Sequence, residues 1–245
     1  MKILFISLGC DKNLVDTEVM LGLLASRGYE MTDDERQADI IVINTCCFIH
    51  DAKEESIQNI LEMAEYKKSG QVKALIVTGC LAQRYRQEIL DEIPEVDEVL
   101  GTTAYDKILD AVDRALEGEQ GIILSDLNAL PVSGAKRLVT TGGHFAYLKI
   151  AEGCDKHCTY CIIPYARGPL RSRPLASIAA ETAKARARFY EVTLIYCFEK
   201  KGVLRNPDDD DSVIPVITRN DFNKYVADGT IAGGMHPKMH NALAA

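Results

Sequence analysis

Residues 40–47 read Ile40-Ile41-Val42-Ile43-Asn44-Thr45-Cys46-Cys47, and this short run decides the reading of the fold. Its apolar part, Ile40 to Ile43 within the strand expected over Ile40 to Asn44, is too short for a helix and too evenly aliphatic for a strand with one wet face. That is the pattern of a strand buried on both faces of a parallel sheet. Working outward, comparable runs stand at Lys2 to Ser7, Lys73 to Thr78, Glu98 to Leu100 and Gly121 to Leu124. Amphipathic stretches separate them. Asp16 or Thr17 is expected to cap a helix ending at Gly28, Asp51 opens one that runs to Gly70, and Ala104 to Leu116 is closed by Gly118. The alternation predicts an α/β domain with a parallel sheet over residues 1–124.

The whole chain of 245 residues is 47% apolar and 26% charged, which excludes a fibrous or wholly disordered protein. Its 28 Lys and Arg against 36 Asp and Glu leave a net charge of −8, so it is not a general polyanion binder. Apolar runs fall short of the ~18 residues of a membrane span. The opening Met1 to Cys10 reads as a buried strand rather than an export signal. A cytoplasmic location is therefore expected, with thiols kept reduced, and eight cysteines there point to metal or redox chemistry. Residues 125–144, with Pro131, Ser133, Gly134, Gly142 and Gly143, are expected to be a linker. A second unit over 145–190 is expected to hold a strand from Phe145 to Ile150, a cysteine-rich loop and a helix after Pro174. The last segment, 191–245, carries a strand-like run at Val192 to Phe198 and four consecutive aspartates, Asp208 to Asp211.

Two cysteine constellations stand out. Cys10, Cys46 and Cys80 each follow an expected strand, and the carboxyl ends of parallel strands share one sheet edge where ligands bind. Three soft thiolates favour an iron-sulfur cluster or zinc and leave one position open. Cys47 is expected to pack in the core instead. The second constellation is Cys154-Asp155-Lys156-His157-Cys158-Thr159-Tyr160-Cys161, in which one loop can wrap three thiolates around one cluster. A zinc knuckle with His157 as fourth ligand competes, but a histidine inside the loop is poorly placed to close the tetrahedron. A cluster with one open iron can instead chelate S-adenosylmethionine and cleave it reductively.

Leu8-Gly9-Cys10-Asp11-Lys12-Asn13-Leu14-Val15-Asp16, Asn44-Thr45-Cys46, Thr78-Gly79-Cys80-Leu81-Ala82-Gln83-Arg84 and Cys154 to Cys161 with Ile162-Ile163-Pro164 together resemble the radical-SAM methylthiotransferases over about residues 1–175. The opening motif looks most like the RimO type, which modifies an aspartate of a small-subunit ribosomal protein. Tyr165-Ala166-Arg167-Gly168-Pro169-Leu170-Arg171-Ser172-Arg173-Pro174 is shared with tRNA-modifying relatives. The resemblance implies that Cys154, Cys158 and Cys161 hold a SAM-cleaving 4Fe-4S cluster, and that Cys10, Cys46 and Cys80 hold an auxiliary 4Fe-4S cluster carrying the sulfur to be inserted. It places Tyr160 near the adenine of S-adenosyl-L-methionine, with plain packing the other role open to it. It also implies a ribosomal-protein substrate, with tRNA as the alternative, and an electron donor such as flavodoxin. Arg167, Arg171 and Arg173 could meet a substrate anion, but a solvated basic loop is the expected reading.

A whole enzyme of that family continues through a partial TIM-like barrel, so 145–190 is expected to be a truncated start of one. Val192 to Leu204 and Ile231-Ala232-Gly233-Gly234-Met235-His236-Pro237-Lys238 resemble instead the C-terminal part of an acetylglutamate kinase, where Lys238 and Glu199 match site positions. The glycine-rich phosphate loops of such a kinase are not found earlier in the chain, and no kinase activity is expected. The chain is thus expected to be a hybrid with its junction near Tyr190.

Overall fold

A computed structural model describes residues 1–130, 134, 136–142, 145–156, 158–188, 202–206, 208–232 and 235–244. They fall into two compact units, Met1–Lys184 and Ala185–Ala245.

The first unit is built on a six-stranded, wholly parallel sheet ordered β2-β1-β3-β4-β5-β6. Its strands are β1 (Lys2–Ser7), β2 (Glu30–Thr32), β3 (Ile40–Thr45), β4 (Ala74–Gly79), β5 (Glu98–Leu100) and β6 (Gly121–Ile123). Helices α1 (Asp11–Ser26), α2 (His50–Lys68), α3 (Cys80–Tyr85), α4 (Gln87–Glu92) and α5 (Ile108–Leu116) connect them. The apolar runs Ile40 to Ile43 of β3 and Ala74 to Val77 of β4 follow from their position in mid-sheet, where every residue of both strands is buried. Ile40, Val42, Ala74 and Ile76 face α1 and α5, whereas Ile41, Ile43, Leu75 and Val77 face α2, α3 and α4. The period of two that separates these sets is the pleat itself. Each fully buried isoleucine contributes about 1.5–3 kcal/mol to holding the helices on the sheet. The α/β reading of the sequence is thereby borne out, with β2 as an additional edge strand too short to stand out.

Two local expectations are corrected. Helix α1 starts at Asp11 with Cys10 as its N-cap, so Asp16 and Thr17 lie inside the helix and are buried rather than capping it. The expected strand at Phe145 to Ile150 is not formed. Pairing is limited to β7 (Ala151–Glu152) against β8 (Arg171–Ser172), antiparallel. The preceding carbonyls bond elsewhere: Tyr147 accepts from Arg137 Nη1 at 2.6 Å, Lys149 from Arg173 Nη1 at 2.8 Å, and Ile150 from the Arg173 amide at 2.9 Å. Helix α6 (Ile163–Arg167) follows the cysteine loop, and α7 (Leu175–Arg188) follows Pro174. The segment read as a linker is tied to α1, since Leu138 N donates to Glu18 O at 2.9 Å.

In the second unit, Leu204 and Val213 form an antiparallel bridge around a turn that holds the acidic run. Helix α8 (Arg219–Ala227) has a capping box between Thr218 and Asp221. With α9 (Met235–Ala244) it surrounds a small core of Val203, Ile214, Phe222 and Ile231. The run Val192 to Phe198 and Glu199 lie outside the described residues, and Lys238 falls on the backbone of α9.

Candidate metal centre

Strands β1, β3 and β4 are neighbours, and the chain reverses its direction of travel across the sheet between β1 and β3. Such a reversal opens a crevice at the carboxyl ends of the strands. Cys10 stands at the N-cap of α1, Cys46 one residue beyond β3, and Cys80 at the first turn of α3. Two glycines let the three loops close on one another. At Gly9, φ is +91°, and a Cβ there would fall 2.7 Å from Cys46 Cβ and 3.0 Å from Cys46 Sγ. At Gly79, φ is +95°, and a Cβ would strike Asn44 Oδ1 and the Thr45 carbonyl. Only glycine meets both demands.

Polar side chains fix the loop backbones. Asn13 Nδ2 donates to the carbonyls of Leu8 at 2.8 Å and Thr45 at 3.0 Å, joining the Cys10 and Cys46 loops. Asn44 Nδ2 returns a bond to the Asn13 carbonyl at 2.9 Å. The Cys46 amide donates to Ser56 Oγ at 2.9 Å. Burial pushes the Cys80 thiol above its ordinary pKa, and nearby Cys46 and Cys10 add to this while Arg167 opposes it. Cys47 is a core residue with its pKa pushed up to about 11, chiefly by burial.

Beside the thiols lies a buried charged cluster that links this edge to the second constellation. Arg167 Nη1 meets Asp16 Oδ2 at 3.0 Å and Glu152 Oε2 at 2.7 Å, and Lys149 Nζ meets Asp16 and Glu152 from the other side. Arg167 Nη2 bonds Asn13 Oδ1, and Arg167 Nε lies 3.3 Å from Cys80 Sγ. Burial alone would raise the Glu152 pKa, but Arg167 and Lys149 outweigh it and hold the carboxyl at about 2. The solvated-loop reading of the three arginines is therefore corrected: Arg167, Arg171 and Arg173 are all buried. Arg171 binds the carbonyls of Ala129, Pro169 and Arg167, while Arg173 pairs with Glu181 at 2.6 Å. The Arg171 and Arg173 guanidiniums satisfy backbone carbonyls, whereas that of Arg167 pairs with side chains, roles that sequence spacing does not reveal.

Cys154, Cys158 and Cys161 share one loop. The Cys154 amide donates to the Gly168 carbonyl at 3.1 Å, the Cys161 amide to the Cys158 carbonyl at 3.0 Å, and the Leu170 amide to Asp155 Oδ1 at 2.8 Å. Gly153, with φ +76°, lies directly against the carbonyls of Gly168 and Pro169. Tyr160 is 88% exposed and packs against no core. His157 lies outside the described residues. Among the described residues, no three His, Cys, Asp or Glu side chains are gathered closely enough to hold a metal ion. The donor chemistry nevertheless fits iron-sulfur clusters: three thiols on neighbouring strand ends, and three on one short loop with exposed or half-buried sulfurs.

Residues 2–101 match the model of "Uncharacterized protein family UPF0004". The chain is 65% identical over 181 residues to the ribosomal protein uS12 methylthiotransferase RimO of Lachnoclostridium phytofermentans, covering 74% of this chain and 41% of that protein. It is 53% identical over 177 residues to RimO of Desulforamulus reducens (72% and 40%), and 51% identical over 181 residues to RimO of Geobacter sulfurreducens (74% and 40%). The chain thus spans about two fifths of the length of the curated relatives it matches.

Proposed function

We propose, on the premise that the chain is a RimO-type methylthiotransferase over the part its relatives match, that it serves the insertion of a methylthio group at an unactivated C–H bond. The names of those relatives point to ribosomal protein uS12 as the substrate, and the motif resemblance points to the β-carbon of one of its aspartates. What carries the reading is one juxtaposition: Cys10, Cys46 and Cys80 on adjacent strand ends, joined through Arg167 to the loop of Cys154, Cys158 and Cys161. When bound, the clusters and S-adenosylmethionine would supply radical generation and sulfur, which no protein side chain provides.

The residues of the chain itself provide position. Cys154, Cys158 and Cys161 would hold the SAM-cleaving cluster, with Tyr160 exposed beside them for the nucleoside. Cys10, Cys46 and Cys80 would hold the auxiliary cluster. Asn13 and Asn44 keep their loops in register, and the glycines before Cys10 and Cys80 let the backbone approach closely. Register matters because a displacement of ~1 Å between reacting groups can cost on the order of a hundredfold in rate.

Anaerobic reconstitution with iron and sulfide tests the reading. Two clusters require roughly eight irons per chain. Cys154→Ala is expected to remove about half and to abolish 5'-deoxyadenosine formation, whereas Cys80→Ala removes the other half and spares that cleavage. A single equivalent of zinc without visible absorbance, or loss of all iron in either variant, would overturn it.

A further inference from the structure

We propose that Arg167 is a positioning residue that couples the two cysteine sites, donating a hydrogen bond to the Cys80 sulfur and thereby raising the reduction potential of the group bound there. The inference rests on the functional reading above, since it takes Cys80 as a cluster ligand.

All three nitrogens of the Arg167 guanidinium are engaged. Nη1 bridges Asp16 and Glu152, Nη2 meets Asn13 Oδ1, and Nε is left to point at Cys80 Sγ at 3.3 Å. The two carboxylates fix the plane of the fork, and Lys149 balances their charge from the opposite side. The backbone of Arg167 is fixed as well: the Ala166 carbonyl accepts from Thr102 Oγ1 at 2.6 Å, and the Gly168 carbonyl accepts the Cys154 amide at 3.1 Å. Cys154 and Cys80 are thus separated by one backbone hydrogen bond, one residue and one guanidinium. Asn13 adds a second path, because its side chain also ties the Cys10 loop to the Cys46 loop. A cation and hydrogen-bond donor at a ligand sulfur withdraw electron density and favour the reduced state. A lysine could balance Asp16 and Glu152 but could not also present a fixed N–H to the sulfur.

The test uses the full chain carrying Cys154→Ala, Cys158→Ala and Cys161→Ala together, so that only the strand-edge cysteines can load. After anaerobic reconstitution, iron content, the reduction potential by spectropotentiometric titration and the thermal midpoint are measured with Arg167 intact, as Arg167→Lys and as Arg167→Gln. The expected result is a more negative potential in both variants, larger for Arg167→Gln. Arg167→Lys keeps a cation against the buried carboxylates, and it decides the matter if Arg167→Gln does not fold. A lowered thermal midpoint with an unmoved potential would assign Arg167 a purely structural role and overturn the proposal. Failure of the Arg167-intact protein to load iron would instead overturn the functional reading beneath it.

Discussion

Glu98 shows how burial acts on one side chain. It opens β5, fully buried, with Oε1 accepting from Arg114 Nε at 2.8 Å and Oε2 without a hydrogen-bond partner among the described residues. Burial raises its pKa, with Arg114 opposing. Between the ordinary carboxyl value and this raised one the folded state holds more protons than the unfolded state, so its contribution to stability falls as pH rises. Glu98→Gln is therefore expected to be more stable at pH 7, by about 1 kcal/mol, because an unsatisfied buried charge is removed and half-exposed Arg114 keeps water and Glu119. Urea unfolding across pH checks the sign: the advantage must shrink as pH falls toward the ordinary glutamate value, and a constant gap would refute it. At Gly79 the constraint is steric. Gly79→Ala places a methyl on Asn44 and Thr45 in a backbone region disfavoured for L-residues, and a loss of about 2 kcal/mol or more is expected in the same measurement.

At the scale of elements, α1 carries the heaviest duty. One face packs Val19, Met20 and Leu24 on the sheet, while Asn13, Asp16 and Glu18, all buried, bind segments far along the chain. Glu18 Oε1 accepts from the Thr140 amide at 2.7 Å and its Oε2 from Arg137 Nε at 2.6 Å. Arg137 in turn reaches Glu181 at 2.8 Å. Removing Glu18 leaves the buried Arg137 with Glu181 alone and strips the Thr140 amide of its acceptor, at a cost of about 1–3 kcal/mol. Glu18→Ala should thus abolish hydrogen-exchange protection at Thr140, whose amide bonds the carboxylate, while β3 and β4 amides stay protected; unchanged protection at Thr140 would show that the clamp contributes nothing. The sequence does not disclose this duty, since an Asn, an Asp and a Glu at the start of a helix read as solvent-facing residues and caps.

At the scale of the whole molecule, the first unit has two extended apolar layers, one on each face of its sheet, and the second has, among the described residues, four buried apolar side chains at its centre. Hydrophobic burial scales with apolar area, so the first layers suffice for independent cooperative folding. Residues 1–184 alone are expected to unfold in one calorimetric transition within about 3 °C of the main transition of the full chain. A broad, non-cooperative melt would show that the first unit depends on the second. No helix among the described residues is long and apolar enough to cross a membrane.

The sequence by itself determined the parallel sheet, the strand-end position of Cys10, Cys46 and Cys80, and the close spacing of Cys154, Cys158 and Cys161, because each is written in local order: apolar runs, intervening helices and short intervals. Only the tertiary structure decided the fate of the charged residues. Asp16 and Arg167 lie 151 positions apart, yet they meet in a buried cluster with Lys149, Glu152 and the Cys80 sulfur. A charge reads as solvent-facing unless its partner is known, and pairing across such a distance depends on how α1, β7 and α6 are brought together. The physical reason is the low-dielectric interior, where an ion is tolerated only when paired and hydrogen-bonded.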